Sequence, residues 1–282
     1  MLKSYLQLMR FHKPVGTFLL LWPTLWALWI AGNGHPSFKN VIIFVLGVIF
    51  MRAAGCVIND FADRKIDLHV TRTKTRPLTT GVITKKQALI LFLSLCAIAF
   101  FLVLLTNVLT IILSFFALLT AIIYPFMKRV THWPQFFLSI AFAWSVPMAF
   151  AAQINHVPWM AFLIMLTTIF WVIAYDTQYA MADHDEDIKI GVKSTAILFG
   201  RYDRVVIGVL QLMFILFLCI IGALQSFSRI YFITVFAATL LMIYQQMLIA
   251  QREPSHCLRA FLNNQWVGAV IFLGILFGVS PH

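Results

Sequence analysis

Asn59, Asp60, Asp63 and Asp67 form one cluster of oxygen-bearing side chains; Asp176, Tyr179, Asp183, Asp185, Glu186 and Asp187 form a second. These two stretches hold eight of the ten acidic residues in a 282-residue chain that is 61% hydrophobic. Carboxylates gathered in apolar surroundings repel one another and lose hydration, so cations must compensate them. Asn59, Asp63 and Asp67 are spaced i, i+4, i+8 and would share one face of a helix, with Asp60 pointing elsewhere. Asp176, Tyr179, Asp183 and Asp187 continue as a stripe at i, i+3, i+7, i+11, and Asp185 and Glu186 fall off it into solvent. Oxygen ligands without thiol or imidazole suit Mg²⁺, which keeps water and phosphate oxygens in its shell. The pair Asp183 and Asp187 repeats the spacing of Asp63 and Asp67. Two such pairs face to face would clamp metal ions bridging a pyrophosphate, which makes these four aspartates the candidate catalytic ligands and Asn59 a fifth metal ligand. Asp176 is a weaker candidate, placed to orient Tyr179 or a neighbouring helix.

Basic residues flank both clusters. Arg64 and the hydroxyl-rich run containing Arg72, Lys74 and Arg76 follow the first; Lys189 and Lys193, with Ser194 and Thr195, follow the second. Lys128 and Arg129 come just after Tyr124. Arg64, Arg72, Lys128, Arg129, Lys189 and Lys193 can donate charge-assisted hydrogen bonds to phosphate oxygens. The same residues also fit a plainer role as membrane-edge anchors touching lipid headgroups. Arg52 stands apart. It lies in an apolar run, seven residues or about two helical turns before Asn59. An arginine at that depth is costly and marks a functional site. It either pairs with a cluster aspartate or grips an anionic substrate group such as an aromatic carboxylate.

The elements that must position these groups are membrane spans. Only 11% of residues are charged, against roughly 25% in a soluble domain. An apolar window of about 20 residues spans a bilayer as a helix. Nine windows qualify: roughly 15–32, 40–58, 87–106, 108–127, 135–153, 158–180, 205–225, 230–250 and 264–280. The expected architecture is therefore all-α and polytopic, a single membrane-embedded domain over residues 1–282 with the lipid bilayer as its solvent. Residues 1–13 read as a partly amphipathic lead-in, and no signal peptide is evident before the first span. Eighteen of the 21 Lys and Arg residues fall in 1–14, 59–86, 128–134, 181–204 and 251–263. This asymmetry predicts a cytoplasmic N-terminus and cytoplasmic aspartate clusters. One cluster follows the second span and the other the sixth, which suggests a pseudo-symmetric bundle with one site between its halves. Pro23, Pro125 and Pro147 predict kinks. Cys56, Cys96, Cys219 and Cys257 show no pairing or metal spacing and read as packing residues. The net charge of +11 is scattered among short loops, which argues for lipid contact rather than nucleic acid.

A metal–pyrophosphate site at the end of an apolar bundle suits a polyprenyl diphosphate. Metal ions stabilise the departing pyrophosphate, the allylic carbon gains cationic character, aromatic faces stabilise it, and an electron-rich ring attacks. The patterns Asn59-Asp-x-x-Asp-x-x-x-Asp67 and Asp176-x-x-Tyr-x-x-x-Asp-x-x-x-Asp187 resemble the two signatures of the UbiA prenyltransferase superfamily. Blocks at 21–29, 51–56, 124–129, 144–152, 174–181 and 188–200 extend the resemblance, towards members that act on 4-hydroxybenzoate. It implies a nine-helix bundle in the bacterial inner membrane, dependence on Mg²⁺, and transfer of a polyprenyl chain, usually octaprenyl, to the carbon ortho to the hydroxyl of 4-hydroxybenzoate, a step of ubiquinone synthesis. It further implies that Asn59, Asp63 and Asp67 hold one Mg²⁺–diphosphate and Asp183 and Asp187 the other. Arg52 would meet the benzoate carboxylate, with Asn59 and Tyr179 also at the aromatic acid. Tyr124 and Lys128 match a Tyr-x-x-x-Lys element near the diphosphate.

Other readings predict other patterns. A secondary transporter would place carboxylates near the bilayer midplane rather than at span ends beside basic loops. A membrane alcohol phosphotransferase would carry a tight Asp-rich motif with interleaved Gly and Ala-Arg, which this sequence lacks. Haem, chlorophyll and menaquinone-type acceptors remain open within the superfamily, to be separated by which acceptor turns over.

Overall fold

The computed structural model describes residues 1–64, 66–69 and 73–279, and among them every regular element is helical. A short helix α1 (Leu2–Leu8) leads into α2 (Val15–Ala31), α3 (Phe38–Asp63), α4 (Lys85–Leu104) and α5 (Val108–Val130). The fifth span is broken into α6 (Pro134–Ala143) and α7 (Ser145–Ile154). The long α8 (Trp159–Ile190) and the single turn α9 (Thr195–Phe199) precede α10 (Asp203–Leu224), α11 (Arg229–Leu248) and α12 (Pro254–Gly278). Eight helical segments among the described residues are long and apolar enough to cross a bilayer, counting α6–α7 as one, and the shorter apolar α2 makes a ninth.

Local chemistry sets the boundaries. Thr84 closes a capping box with Gln87 at the start of α4, Asn107 accepts from the Thr110 amide at the start of α5, and Ser194 caps α9. Each satisfies an amide that the helix itself cannot. Proline occupies the first turn of α6 and of α12, where its missing N–H costs nothing. Asn155 and Gly191 end α7 and α8 in the left-handed conformation. Of the three prolines expected to kink spans, Pro147 lies just after the break at Trp144, while α2 and α5 run on through Pro23 and Pro125.

Two spans outrun their apolar windows. Helix α3 continues to Asp63 and α8 to Ile190, so both aspartate motifs ride on extensions of membrane helices. Helix α12 likewise begins at Pro254, ten residues before its apolar window. The expectation that Asp67 continues the α3 stripe is corrected: α3 ends at Asp63, and Asp67 opens a separate 3₁₀ turn, Asp67–His69. The chain leaves α3 after Asp63, so an i+8 relation no longer sets the direction of Asp67.

The bundle closes on itself. Helix α12 packs against α2, and α2 and α7 each pack against both α3 and α8. Trp26 on α2 donates through Nε1 to the Gly268 carbonyl on α12 at 3.2 Å, and a side chain at Gly268 would run into Trp22 and Trp171. The main core joins Trp26, Trp171, Tyr175, Phe214 and Tyr231. Buried amides cross it: Trp171 donates to Asn264 at 2.9 Å, Asn264 to Gln178 at 3.0 Å, and Gln178 and Gln211 to Gln245 at 3.1 and 2.9 Å. This chain ties α8, α10, α11 and α12 together with matched polar groups. Lipid-facing surfaces carry exposed Phe101, Phe116, Leu119 and Phe236, as expected where the solvent is hydrocarbon.

Candidate active site

The end of α3 and the 3₁₀ turn after it present three carboxylates, Asp60, Asp63 and Asp67, to three cations. Asp63 is 2% exposed and forms an ion pair with Lys128 at the end of α5. Asp60, 1% exposed, accepts from Arg10 at 2.8 Å and Arg76 at 2.9 Å. Arg76 also reaches Asp67 at 2.7 Å, and Thr73 donates to the Asp67 carbonyl at 3.1 Å. Asp60 therefore does point away from Asp63, yet it belongs to the same ionic cluster. Burial pushes the Asp67 carboxyl above the usual carboxylate range; Arg76 opposes that shift and Asp60 adds to it. Burial works against the charge on Arg10, but Asp60, together with Cys56 and Tyr179, more than offsets it and the guanidinium is held protonated more firmly than usual.

Arg10 was not a candidate from the sequence. It lies in a turn after α1, in the left-handed conformation at φ 60°, which a bulky residue adopts only when its surroundings fix it. Leu8, fully buried, anchors α1 in a second core with Ala54, Val57 and Ile58. The lead-in is thus part of the site. Arg10 also lies within electrostatic reach of Tyr179 on α8, whose ring packs edge-on against Phe261 at 4.9 Å.

Deeper in the bundle, Arg52 sits within electrostatic reach of Tyr124, Tyr175 and Asp176. Tyr124 is in turn within reach of both Asp63 and Asp176, so groups from α3, α5 and α8 converge there. Arg52 donates through Nη1 to the Cys56 sulfur, which corrects the reading of Cys56 as packing alone. Its Nε is buried without a hydrogen-bond partner among the described residues. The guanidinium lies directly over Gly16 of α2, where any side chain would collide with it. Arg52 and Tyr124 form the polar wall of a cavity of about 180 Å³, whose remaining wall is almost wholly apolar: Gly47, Val48, Phe100, Phe115, Leu118 and Met148 contribute.

The other candidates fall as follows. Asn59 is half-buried one turn before Asp63, and Asp176, Asp183 and Asp187 are half-buried on α8. Asp185 is exposed, as expected. Arg64 folds back onto the Phe61 carbonyl and ring, and Arg129 donates to the Ala62 carbonyl. Lys193 donates to the Val130 carbonyl at 3.1 Å, and its amide bonds to the Lys128 carbonyl. These three brace the chain around Asp63 and Lys128. Lys189 is exposed on the last turn of α8. Arg72 lies outside the described residues.

The donor set fits a hard divalent cation in kind: it is all oxygen, and Asp63 Oδ1 and Asp60 Oδ2 are buried acceptors without a hydrogen-bond partner among the described residues. No trio of His, Cys, Asp or Glu among the described residues converges tightly enough to hold a metal alone. Lys128 and Arg76 supply part of the compensation instead. Such a site suits a cation that brings phosphate oxygens with it.

Comparison with known proteins follows the same lines. Residues 20–276 match the UbiA prenyltransferase family. A 4-hydroxybenzoate octaprenyltransferase of Coxiella burnetii is 56% identical over 272 residues, 96% of this chain and 95% of that protein. One of Vibrio parahaemolyticus is 57% identical over 274 residues, 97% of this chain and 96% of its own. Among solved structures, a UbiA homolog from Aeropyrum pernix superposes with a TM-score of 0.81 at 24% identity, covering 93% of this chain and 96% of that one. A UbiA homolog from Archaeoglobus fulgidus bound to GPP and Mg²⁺ gives 0.72 at 18% identity, covering 96% and 99%.

Proposed function

The chain belongs to the UbiA prenyltransferase family, and from that premise we propose that it transfers a polyprenyl group, octaprenyl as in its relatives' names, from the diphosphate to C3 of 4-hydroxybenzoate. The product is 3-polyprenyl-4-hydroxybenzoate, an intermediate on the route to ubiquinone, and diphosphate leaves. One observation carries the reading: a guanidinium with a buried, unpartnered N–H stands at the polar head of an apolar cavity, within reach of groups on both aspartate-bearing helices.

Arg52 binds the carboxylate of the acceptor, since a bidentate fork matches a carboxylate. Asn59 and Tyr179 border the ring. The isoprenoid chain enters the apolar cavity. At 180 Å³ that cavity is smaller than the roughly 300–1,000 Å³ pockets that enclose drug-sized ligands, so it takes the head of the chain and leaves the remainder to lipid. Asn59, Asp63, Asp67, Asp183 and Asp187 would hold Mg²⁺, which neutralises the diphosphate charge when bound. A UbiA homolog from A. fulgidus is bound to GPP and Mg²⁺, which supports the use of a divalent cation. Lys128 meets the diphosphate, seated there by Asp63 and by the Lys193 amide. As the C1–O bond of the donor breaks, C1 bonds to the ring carbon beside the phenol, and that carbon then loses its proton. The apolar walls exclude the water that would otherwise capture C1.

Residues 1–282 act as one membrane-embedded unit in the bacterial inner membrane, with the N-terminus and both aspartate clusters on the cytoplasmic side. The charge distribution supports that orientation. The test is turnover of purified protein in lipid with 4-hydroxybenzoate and octaprenyl diphosphate. Prenylated product that depends on Mg²⁺ is expected, and Asp63→Asn should lower turnover by roughly 100-fold or more, the scale of a lost charge-stabilising group. Full turnover in chelator, or in Asp63→Asn, would refute the metal clamp; activity only with another aromatic acceptor would refute the substrate.

A further inference from the structure

Away from the cavity and the aspartate clusters, Arg201, Arg204 and Arg252 converge on a recess of about 540 Å³ at the aspartate-bearing end of α10 and α11, bordered by Gly208 and Gln246. Three cations here face one carboxylate. Asp203, 2% exposed, takes Arg252 through Nε at 2.9 Å and Nη2 at 2.7 Å, and this pair holds Arg252 in the left-handed conformation at φ 55°. The guanidinium groups of the other two arginines meet only neutral acceptors among the described residues. Arg201 donates to the Tyr202 hydroxyl at 2.7 Å, and Arg204 to the Ala250 carbonyl at 3.3 Å. The Nε of Arg204 is buried and has no hydrogen-bond partner among the described residues. Both lie beside the first turn of α10, at the positive end of its dipole, where cations are disfavoured and anions favoured. The recess is thus short of about two negative charges.

Its position indicates what supplies them. Below the arginines, Val205, Val209 and Leu212 descend the outer face of α10, and Ile243 and Met247 do so on α11; all five are exposed. Gly208 leaves room between the two helices, since a Cβ there meets nothing nearer than Gln246 Nε2 at 3.6 Å. A cationic cup above an apolar lane matches an amphiphile with a phosphate head and hydrocarbon tails.

We propose that this recess is a binding site for a phosphate-bearing group, and that its usual occupant is the headgroup of an acidic phospholipid. Soluble phosphate or diphosphate shares the headgroup chemistry but makes no use of the apolar lane.

The test uses the full chain in neutral detergent, with retained lipid counted by native mass spectrometry after adding phosphatidylglycerol or phosphatidylcholine. Wild-type protein should retain phosphatidylglycerol preferentially. Arg201→Gln with Arg204→Gln should weaken that binding on the order of 10–30-fold, given the contribution of a basic residue at headgroup depth. Gly208→Leu, which fills the recess and keeps every charge, should lose the same preference; it serves if the double variant folds poorly. Millimolar phosphate that fails to displace the lipid supports the lipid as occupant. Displacement by phosphate or diphosphate at matching concentration instead keeps the phosphate site but overturns the lipid as its occupant. Equal phosphatidylglycerol retention by wild type and both variants overturns the site. Turnover in neutral detergent should be unchanged in both variants, because neither touches the aspartates, Arg52 or the cavity.

Discussion

An arginine inside a membrane helix is expensive, and Arg52 receives less compensation than such a group normally does: a sulfur, nearby tyrosines and a half-buried Asp176. That shortfall is what a substrate carboxylate would remove. Arg52→Ala should therefore raise KM for 4-hydroxybenzoate by roughly 10–100-fold, the scale of about 1.5–3 kcal/mol for a hydrogen bond to a charged group. KM for the prenyl donor should barely move. Gly16→Ala makes the same point without deleting the charge. Its methyl group collides with the guanidinium, while alanine near a helix start does not harm α2. It should shift acceptor KM in the same direction and leave thermal stability unchanged. If both variants change the two KM values equally, Arg52 is not the acceptor anchor. That Arg52 is a charge set deep in the bundle was legible in the sequence, because a lone charge in an apolar run is conspicuous. Arg10 and Arg76 were not recognisable as partners of Asp60 and Asp67. Their ion pairs depend on a left-handed turn and a loop crossing, which no spacing encodes.

Helix extents were legible wherever lipid defines them and misread wherever it does not. A hydropathy window detects the buried or lipid-facing stretch, so it stops near Ile58 on α3 and Ala180 on α8. The helices themselves run on through polar residues to Asp63 and Ile190, because backbone hydrogen bonding continues until a cap intervenes. Asp67 shows the opposite error: helical spacing was extrapolated beyond the end of the helix. Along α3 the glycines have a clear consequence. A Cβ at Gly47 meets nothing within 4 Å, and Gly47 borders the apolar cavity. Gly47→Leu should thus fill the space proposed for the prenyl chain. Leucine improves helix propensity by up to about 1 kcal/mol over glycine, so any loss of activity would not come from a weakened helix. The expected result is a several-fold rise in KM for octaprenyl diphosphate with a smaller change for geranyl diphosphate. An identical change for short and long donors would place the chain elsewhere.

At the scale of the whole molecule, the bundle is held shut by polar contacts that hydropathy cannot foresee. Asn264 takes the Trp171 N–H and donates to Gln178, one residue before Tyr179. Asn264→Leu would leave both partners buried and unmatched, a cost of about 2 kcal/mol at least, since each unsatisfied group costs about 1–3 kcal/mol. A fall of several degrees in unfolding temperature in detergent is expected; an unchanged transition would mean that the amide chain carries no stability. The same bundle sorts its charge by end. The aspartate clusters, the arginine recess and most of the described Lys and Arg residues share one end. Basic loops stay in the cytoplasm during insertion, so that end should face inward, where soluble 4-hydroxybenzoate and Mg²⁺ are at hand and diphosphate can leave into water. Asp185 is exposed at that end and His156 is exposed at the other. In intact cells a membrane-impermeant maleimide should modify His156→Cys and spare Asp185→Cys. In inverted vesicles the pattern should reverse. Labelling of Asp185→Cys in intact cells would turn the molecule over, and the acceptor would then have to reach Arg52 from outside.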